Sequence, residues 1–402
     1  MKFDYLSTLF ALSYALDCVE HDLLGVTTNH GKRVAVLAVQ MGRRCGITPG
    51  QQRELAACAV LHDCALTEYV HDEYHGAFAR AMRELPGELS PHCAMGEKQL
   101  RNMPFSADIK NVILYHHENA DGSGPFGRKA AEVPLFSRLI HLADVTDAVH
   151  DLSGLETEKR EKVRRFLAQC RGAMFTEEGV GLLLAVLDGT DAAALSNEGI
   201  DAELTRLVPP GEMNCTPGQL MDFASVFAAI TDYKSHFTCA HSMGIAQKSR
   251  RMAEYYGADD ELAARLYFAG ALHDIGKLAV DRDVLEKPGR LTPAEYTHIQ
   301  THAYATYEIL RKIKGMEDVT RWASHHHEKL DGSGYPFGLR GDEMDRWERL
   351  LCCLDIYQAL TEDRPYKKAM DRAQAMAILR HMADIGQLDA DIVREIGVVW
   401  PA

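Results

Sequence analysis

The feature that most constrains the fold is a repeat of histidine and aspartate positions along the chain. The dipeptide His62-Asp63 recurs as His273-Asp274, 211 residues later. Further pairs recur at an offset of 210 or 211 and are His30 and His241, His92 and His302, His116 and His326, His117 and His327, and Asp144 and Asp355. Chance does not keep so many offsets within one residue, so the chain is a tandem duplication. Each half must therefore fold around the same set of side chains.

A segment rich in proline and glycine separates the two halves. Val208-Pro209-Pro210-Gly211 is followed by Thr216-Pro217-Gly218, the densest such cluster between the repeats. Because proline and glycine interrupt regular structure, we predict a first domain over residues 1–205 and a second over residues 206–402.

Helical spacing dominates both halves, and strand signals are scarce. Leu262, Leu266, Ala269 and Leu272 recur every three or four residues and lead directly into His273. Further helices are predicted over residues 220–230, 294–313 and 372–382. The Asp-Gly-Ser-Gly segments that begin at positions 121 and 331 are predicted turns, because paired glycines break a helix. The predicted fold class is all-α, with two tandem helical bundles.

Composition excludes several classes of partner. The formal net charge of −14 argues against a broad basic face for a DNA or RNA polymer, so an anionic substrate needs a metal or a few local cations. No apolar run approaches the roughly 18 residues of a membrane span. The stretch from Tyr5 to Leu16, bounded by Asp4 and Asp17, is interpreted as a surface helix. The ten cysteines include no Cys-x-x-Cys pair, which favours reduced thiols and a cytoplasmic protein.

The repeated residues are of metal-binding types. Neutral imidazole and carboxylate suit divalent iron, manganese and zinc. Five histidines and two aspartates per half exceed the needs of one four-coordinate ion, whereas two ions with a bridging carboxylate would use them all. Two ions about 3.5–4 Å apart suit phosphoester hydrolysis, because they hold both the attacking and the leaving oxygen. The other nine histidines are interpreted as solvated or structural, and support of the ligands is the alternative for His141 and His325.

The C-terminal half also carries a long series of motifs in a fixed order. They are Leu272-His273-Asp274-Ile275-Gly276-Lys277, Lys287-Pro288-Gly289, His326-His327-Glu328, Asp331-Gly332-Ser333-Gly334-Tyr335-Pro336 and Asp363-Arg364-Pro365-Tyr366. On these residues, the half resembles the HD-GYP branch of the HD-domain phosphohydrolases over nearly its whole length.

This resemblance implies a bacterial hydrolase that opens cyclic dinucleotides in second-messenger signalling, above all cyclic di-GMP to pGpG or GMP. Hydrolysis of 3',3'-cyclic GMP-AMP is one alternative, since some tandem members of the family prefer that substrate. A non-catalytic cyclic-dinucleotide receptor that acts through protein partners is an alternative of another class. The Gly-Tyr-Pro and Asp-Arg-Pro-Tyr matches speak against a mononucleotide nucleotidase. The resemblance leaves room for GGDEF-type or other signalling partners and for a homodimer.

The resemblance also implies roles for individual residues, carried over by position. The ligands of one metal would be His241, His273, Asp274 and Asp355, with Asp274 bridging, and those of the second would be His302, His326 and His327. Family sites hold iron or manganese most often. Lys277 resembles the lysine that meets the scissile phosphate, where an ammonium would oppose the charge building on the phosphoryl oxygens. We therefore expect Asp274 and Lys277 to be catalytic. Further substrate contacts would come from Gly334, Tyr335, Pro336, Arg364 and Lys367.

Two positions of the C-terminal half depart from the family pattern. Phe237 stands where some members have a glutamate that supports a third metal, which favours two metals here. Gln358, three residues after Asp355, stands where the family often has a charged residue. This change leaves the ligand set intact but alters its surroundings.

The N-terminal half keeps every ligand type, as His30, His62, Asp63, His92, His116, His117 and Asp144. It has Leu66 at the position of Lys277, a proline at Pro125 in place of the tyrosine, and Asp147-Ala148-Val149-His150 with no Asp-Arg-Pro-Tyr. We expect a degenerate domain that holds metal and has a structural or regulatory role. An active site of altered specificity is the alternative.

Overall fold

The computed structural model describes residues 1–66, 68–70, 90–103, 105, 109–209, 211–234, 241–285, 287, 289–363 and 368–401. The chain divides into two compact units, Asp4–Met213 and Met1–Phe3 together with Asn214–Ala402. This division falls after Met213, a few residues beyond the predicted boundary at residue 205, and it leaves the helix Ile200–Leu207 in the first unit. The carbonyl of Met1 accepts a hydrogen bond from the amide of Cys215 at 3.0 Å, which ties the first residues to the second unit.

The first unit is helical. Its helices are α1 (Tyr5–Leu24), α2 (His30–Arg44), α3 (Pro49–Val60), α4 (Ser90–Gln99), α5 (Leu135–His150), α6 (Thr157–Cys170), α7 (Glu177–Gly189), α8 (Ala192–Leu195) and α9 (Ile200–Leu207). Helix α2 lies at the centre of the unit, since every residue from Val34 to Val39 is fully buried. It packs against α3 and α5, the helices that lead to or carry the predicted ligands.

The second unit is helical as well. Its helices are α10 (Pro217–Lys234), α11 (His241–Tyr255), α12 (Asp260–Leu272), α13 (Arg282–Leu285), α14 (Pro293–Leu310), α15 (Glu317–Ser324), α16 (Arg346–Thr361), α17 (Arg372–Asp384) and α18 (Ala390–Val399). The described strands are β1 (Lys2–Phe3) and β2 (Met213–Asn214), which form one two-stranded sheet. The predicted all-α class is confirmed, and the three predicted segments match α10, α14 and α17.

Local signals explain where several of these helices begin. Asp259 precedes α12 and accepts a hydrogen bond from the amide of Leu262 at 2.8 Å. Thr292 and Glu295 form a reciprocal capping box at the start of α14, which satisfies amides that the helix cannot pair internally. In both Asp-Gly-Ser-Gly segments, the aspartate accepts a hydrogen bond from the serine amide at 2.9 Å. These segments are turns, as predicted.

Helix α1 differs from its prediction as a surface helix. Leu9 and Leu12 are fully buried, and Leu16 is 3% exposed. The helix packs against α2 and α3, and Asp17 is itself 3% exposed, so the flanking aspartates were a poor guide to exposure. Among the described residues, no helix combines the length and the apolar character that a membrane crossing needs.

Candidate metal and active site

The predicted ligands of the second unit lie at or within helices that converge on one buried point. His241 opens α11, His273 and Asp274 follow the last turn of α12, and His302 lies within α14. His326 and His327 follow the end of α15, and Asp355 lies within α16. Helix α14 packs against the short 3-10 turn Ile275–Ala279 that follows the His-Asp pair. The structure thus brings all seven side chains together.

The two oxygens of Asp274 face different groups of histidines. Its Oδ2 lies 3.1 Å from Nε2 of His273 and 3.9 Å from Nε2 of His241. Its Oδ1 lies 3.3 Å from Nε2 of His302 and 3.8 Å from Nε2 of His326. This placement matches the bridging role that the resemblance implies for Asp274.

Asp355 also spans two histidines. Its Oδ1 lies 3.2 Å from Nε2 of His241, and its Oδ2 lies 3.4 Å from Nδ1 of His327. The two carboxylates therefore lie among the five imidazoles, and each carboxylate has one oxygen towards each histidine group.

Backbone carbonyls orient three of these imidazoles. The Nδ1–H groups of His273, His302 and His326 donate to the carbonyls three residues earlier at 2.8, 2.6 and 2.6 Å. A carbonyl only accepts hydrogen bonds, so these contacts place the proton on Nδ1 and leave the lone pair of Nε2 towards the cluster. This is the tautomer that a metal ligand requires.

The donor set fits divalent metal. Nε2 of His273 and Oδ1 of Asp274 are buried, yet neither makes a hydrogen bond of good geometry within the described residues. Burial lowers the pKa of His302 to about 3 and also lowers the pKa of His326 and His327, although the nearby aspartate charges oppose it. These imidazoles are neutral at pH 7, the form that binds metal. Imidazole and carboxylate together suit iron, manganese and zinc.

Lys277 lies at the edge of the cluster. Its ammonium pairs with Oδ2 of Asp274, and its side chain is 23% exposed. Although burial raises the pKa of Asp274, the charges of His273 and Lys277 outweigh it and hold that pKa well below its usual value. A cation is therefore present beside the candidate bridging carboxylate and within reach of solvent.

The Gly-Tyr-Pro loop covers one side of the cluster. The ring of Tyr335 lies 4.8 Å from the ring of His327, centroid to centroid. A Cβ on Gly334 would lie 2.5 Å from the amide nitrogen of Lys329, so only glycine permits this approach of the loop. Arg364, Lys367 and Phe237 lie outside the described residues.

Sequence reasoning missed the residue that holds this loop. The carboxylate of Glu328 accepts hydrogen bonds from the amides of Phe337, Gly338 and Leu339 at 2.7, 3.2 and 2.9 Å. Glu118 holds the corresponding loop of the first unit by accepting from the amide of Phe126 at 2.6 Å. The signal was visible, because a glutamate follows the paired histidines in both halves.

The first unit builds a second cluster on the same plan. Oδ1 of Asp63 lies 3.1 Å from Nε2 of His92 and 3.4 Å from Nε2 of His116. Oδ1 of Asp144 lies 3.1 Å from Nε2 of His30 and 3.6 Å from Nε2 of His62. Its Oδ2 lies 4.0 Å from Nδ1 of His117. The structure again brings all seven predicted side chains together.

The surroundings of the two clusters differ. In the first unit, Cys93 and Asp63 outweigh burial and raise the pKa of His92 to about 9. Leu66, at the position of Lys277, is 1% exposed.

His141 and His325 lie outside the two clusters. Nε2 of His141 lies 3.3 Å from Oδ1 of Asn119 in the first unit, and Nδ1 of His325 lies 2.7 Å from Oε1 of Glu348 in the second. These two histidines support neighbouring side chains and are absent from both ligand clusters.

The HD domain family profile matches residues 21–164 and 218–392. The chain belongs to the HD-domain family. It is 31% identical over 393 residues to the 3'3'-cGAMP-specific phosphodiesterase 1 of Vibrio cholerae serotype O1, covering 95% of this chain and 89% of that protein. It is 36% identical over 162 residues to a cyclic di-GMP phosphodiesterase of Pseudomonas aeruginosa, covering 39% of this chain and 38% of the relative.

Among solved structures, the fold resembles that of V-cGAP3, a cyclic GMP-AMP-specific phosphodiesterase of V. cholerae, with a TM-score of 0.66 and 23% sequence identity. The match covers 99% of this chain and 98% of the V-cGAP3 chain. This likeness shows that the two HD segments share the fold of that protein. Together, these comparisons confirm the resemblance to the HD-GYP type of HD-domain protein on which the ligand positions were assigned.

Proposed function

We propose that the C-terminal half is a divalent-metal-dependent phosphodiesterase that hydrolyses a cyclic dinucleotide. The observation that carries this proposal is the pairing of Lys277 with Asp274 at a cluster in which two carboxylates lie among five imidazoles. Two iron or manganese ions, held by His241, His273, Asp274 and Asp355 and by His302, His326 and His327, would supply Lewis acidity and lower the pKa of water.

The residues of the chain then have distinct tasks. Asp274 has one oxygen towards each histidine group and would hold both metal ions. Lys277 has its ammonium at the solvent-accessible edge of the cluster, where it would neutralise charge that develops on the phosphoryl oxygens. Tyr335, whose ring packs on His327, would help to position that ligand.

For the substrate, we favour 3',3'-cyclic GMP-AMP over cyclic di-GMP. The relative that aligns with 95% of this chain, across both halves, is named as specific for the former. The relative named for cyclic di-GMP aligns with 39% of the chain. Cyclic di-GMP stays the second candidate, because the motifs of the C-terminal half alone do not separate the two dinucleotides.

For the N-terminal half, we propose a metal-holding domain with a structural or regulatory role. Its seven ligand-type side chains support metal binding, whereas Leu66 provides no cation where Lys277 does. We also propose a cytoplasmic location, which is supported by the absence of a Cys-x-x-Cys pair among the ten cysteines.

The test uses the full-length protein, loaded anaerobically with Fe(II) or Mn(II) and offered each dinucleotide separately, with products separated by chromatography. We expect linear product from the wild type and from the control Glu254→Gln, and none from His273→Ala/Asp274→Ala. Absence of linear product from both substrates, with metal bound, would favour a non-catalytic receptor. Activity that survives in His273→Ala/Asp274→Ala and is lost in His62→Ala/Asp63→Ala would place the reaction in the other half.

A further inference from the structure

The first ligand histidine of each half has a carboxylate on its outer nitrogen. In the N-terminal half, Nδ1 of His30 lies 2.7 Å from Oδ2 of Asp147. In the C-terminal half, Nδ1 of His241 lies 3.0 Å from both carboxylate oxygens of Glu362. A carboxylate at this place fixes the tautomer and the direction of a metal-binding imidazole. The contact is thus common to both halves.

The two carboxylates come from different positions of the repeat. Asp147 lies three residues after Asp144, and the corresponding residue three after Asp355 is Gln358. Glu362 lies one helical turn further on, beyond the end of α16. Its counterpart in the N-terminal half is Asp151, which accepts a hydrogen bond from Oγ1 of Thr27 at 2.8 Å instead. The bond to the histidine is therefore made from a different position in each half.

The neighbours of the carboxylate differ in a matching way. In the N-terminal half, Nε of Arg33 donates to the Asp147 carboxylate at 2.8 Å. The corresponding residue of the C-terminal half is Gly244, and a Cβ there would lie 2.6 Å from Cδ of Gln358. The space that a side chain at position 244 would need is thus filled by the amide of Gln358.

The amide of Gln358 links the new carboxylate to a cation. Its Nε2 donates to Oε2 of Glu362 at 2.8 Å, and its Oε1 accepts from the ammonium of Lys248. The result is a hydrogen-bonded series from Lys248 through Gln358 and Glu362 to His241. It does the work of the shorter series from Arg33 through Asp147 to His30.

We propose that Glu362 is the positioning residue of His241, taking over a task that the N-terminal half assigns to the position of Gln358. Glu362 holds Nδ1–H of His241 so that Nε2 faces Asp355, and Gln358 holds Glu362 in place. The proposal rests on the proposed function of the C-terminal half as a metal site.

The test measures Mn(II) binding to the full-length protein by electron paramagnetic resonance. The ions lost in His273→Ala/Asp274→Ala define the C-terminal set. We expect Glu362→Gln to weaken that set roughly 10–100-fold, the usual effect of removing a partner of a ligand histidine. The double variant Gln358→Asp/Glu362→Gln, which returns the carboxylate to the position used by Asp147, should regain most of the loss.

Glu254→Gln, on the exposed side of α11, is the matched control and should bind Mn(II) as the wild type does. Thermal unfolding of each variant separates a folding defect from a ligand defect. Wild-type affinity for the C-terminal set in both Glu362→Gln and Glu362→Ala would overturn the proposal, as would a lowered melting temperature without weaker Mn(II) binding. The proposed function fails differently, through the absence of linear product from wild-type protein that binds both ions.

Discussion

Gly276 provides a sensitive test of how the fold places the site. It lies in the turn after Asp274, and its amide donates to Oγ1 of Thr306 at 3.0 Å. A Cβ at this position would lie 2.5 Å from the amide nitrogen of Thr306 and 2.9 Å from the carbonyl carbon of His302, and it would clash with the carbonyl oxygen of His302. All three atoms belong to the backbone of α14, so no side chain can rotate away.

The structure sets the size of the effect of Gly276→Ala. Non-bonded carbon contacts are comfortable at about 3.5–4.0 Å, so the turn must move by about 1 Å relative to α14. Overpacking of this kind costs about 1–3 kcal/mol, and weakening of the bond to Thr306 adds about 0.5–1.5 kcal/mol. We expect a loss of about 2–4 kcal/mol in the free energy of unfolding. The same movement shifts Asp274 against His302, and a misplacement of 1 Å lowers activity about 100-fold.

Denaturant unfolding, Mn(II) content and initial rate of dinucleotide hydrolysis would be measured on the purified variant. Gly397→Ala is the matched control, because Gly397 lies within α18 and the nearest atom to its added Cβ is Cε of Met376 at 3.4 Å, the end of a flexible side chain. That control should be neutral or stabilised by up to about 1 kcal/mol. If Gly276→Ala unfolds like the wild type and keeps its Mn(II) and activity, the steric argument is wrong.

Three other predictions concern the catalytic cation, the loop and the metal. Lys277→Leu, which copies Leu66, should lower the initial rate about 100-fold or more with Mn(II) content unchanged; a rate within threefold of the wild type would contradict the role of Lys277. Glu328→Gln removes charge-assisted bonds to three loop amides and should cost about 1.5–3 kcal/mol in denaturant unfolding; unchanged stability would show that the loop is held otherwise. A chelator should lower the melting temperature of the wild type, because metal at 100 times its Kd stabilises a fold by about 2.7 kcal/mol; an unchanged melting curve in calorimetry would argue against bound metal.

The sequence was sufficient to predict the helical class and the positions where ligands converge, because each ligand recurs at a nearly fixed offset. Regular apolar spacing predicted α12. The same kind of spacing predicted a helix over residues 220–230, and this segment lies within α10. The exposure of α1 could not be predicted in this way. Its burial depends on which neighbours cover Leu9 and Leu12, and those neighbours are set by tertiary packing.

The residues that support the ligands were beyond prediction for a different reason. Glu362 and His241 are 121 residues apart. The corresponding acidic residue of the first half, Asp151, accepts a hydrogen bond from Thr27, whereas His30 is bonded to Asp147, so the repeat did not mark the contact. The need for glycine at position 276 likewise depends on a distant segment, because the residue lies against the backbone of α14 and its amide bonds to Thr306, 30 residues away. In the N-terminal half, Ala65 stands at the position of Gly276 and Gly96 at that of Thr306, so the small residue has moved to the other side of the contact.

These paired changes bear on what the N-terminal cluster can do. The side chain of His117 is 11% exposed, against 27% for its counterpart His327, and Leu66 is 1% exposed where the Lys277 side chain is 23% exposed. A catalytic metal site must keep a position open for substrate, whereas a structural site is closed by protein ligands. The two clusters have the same ligand types, but His117 is more enclosed than His327 and Leu66 offers no cation. These two differences support the proposed role of the N-terminal half in holding metal for stability or regulation, with hydrolysis proposed for the C-terminal half.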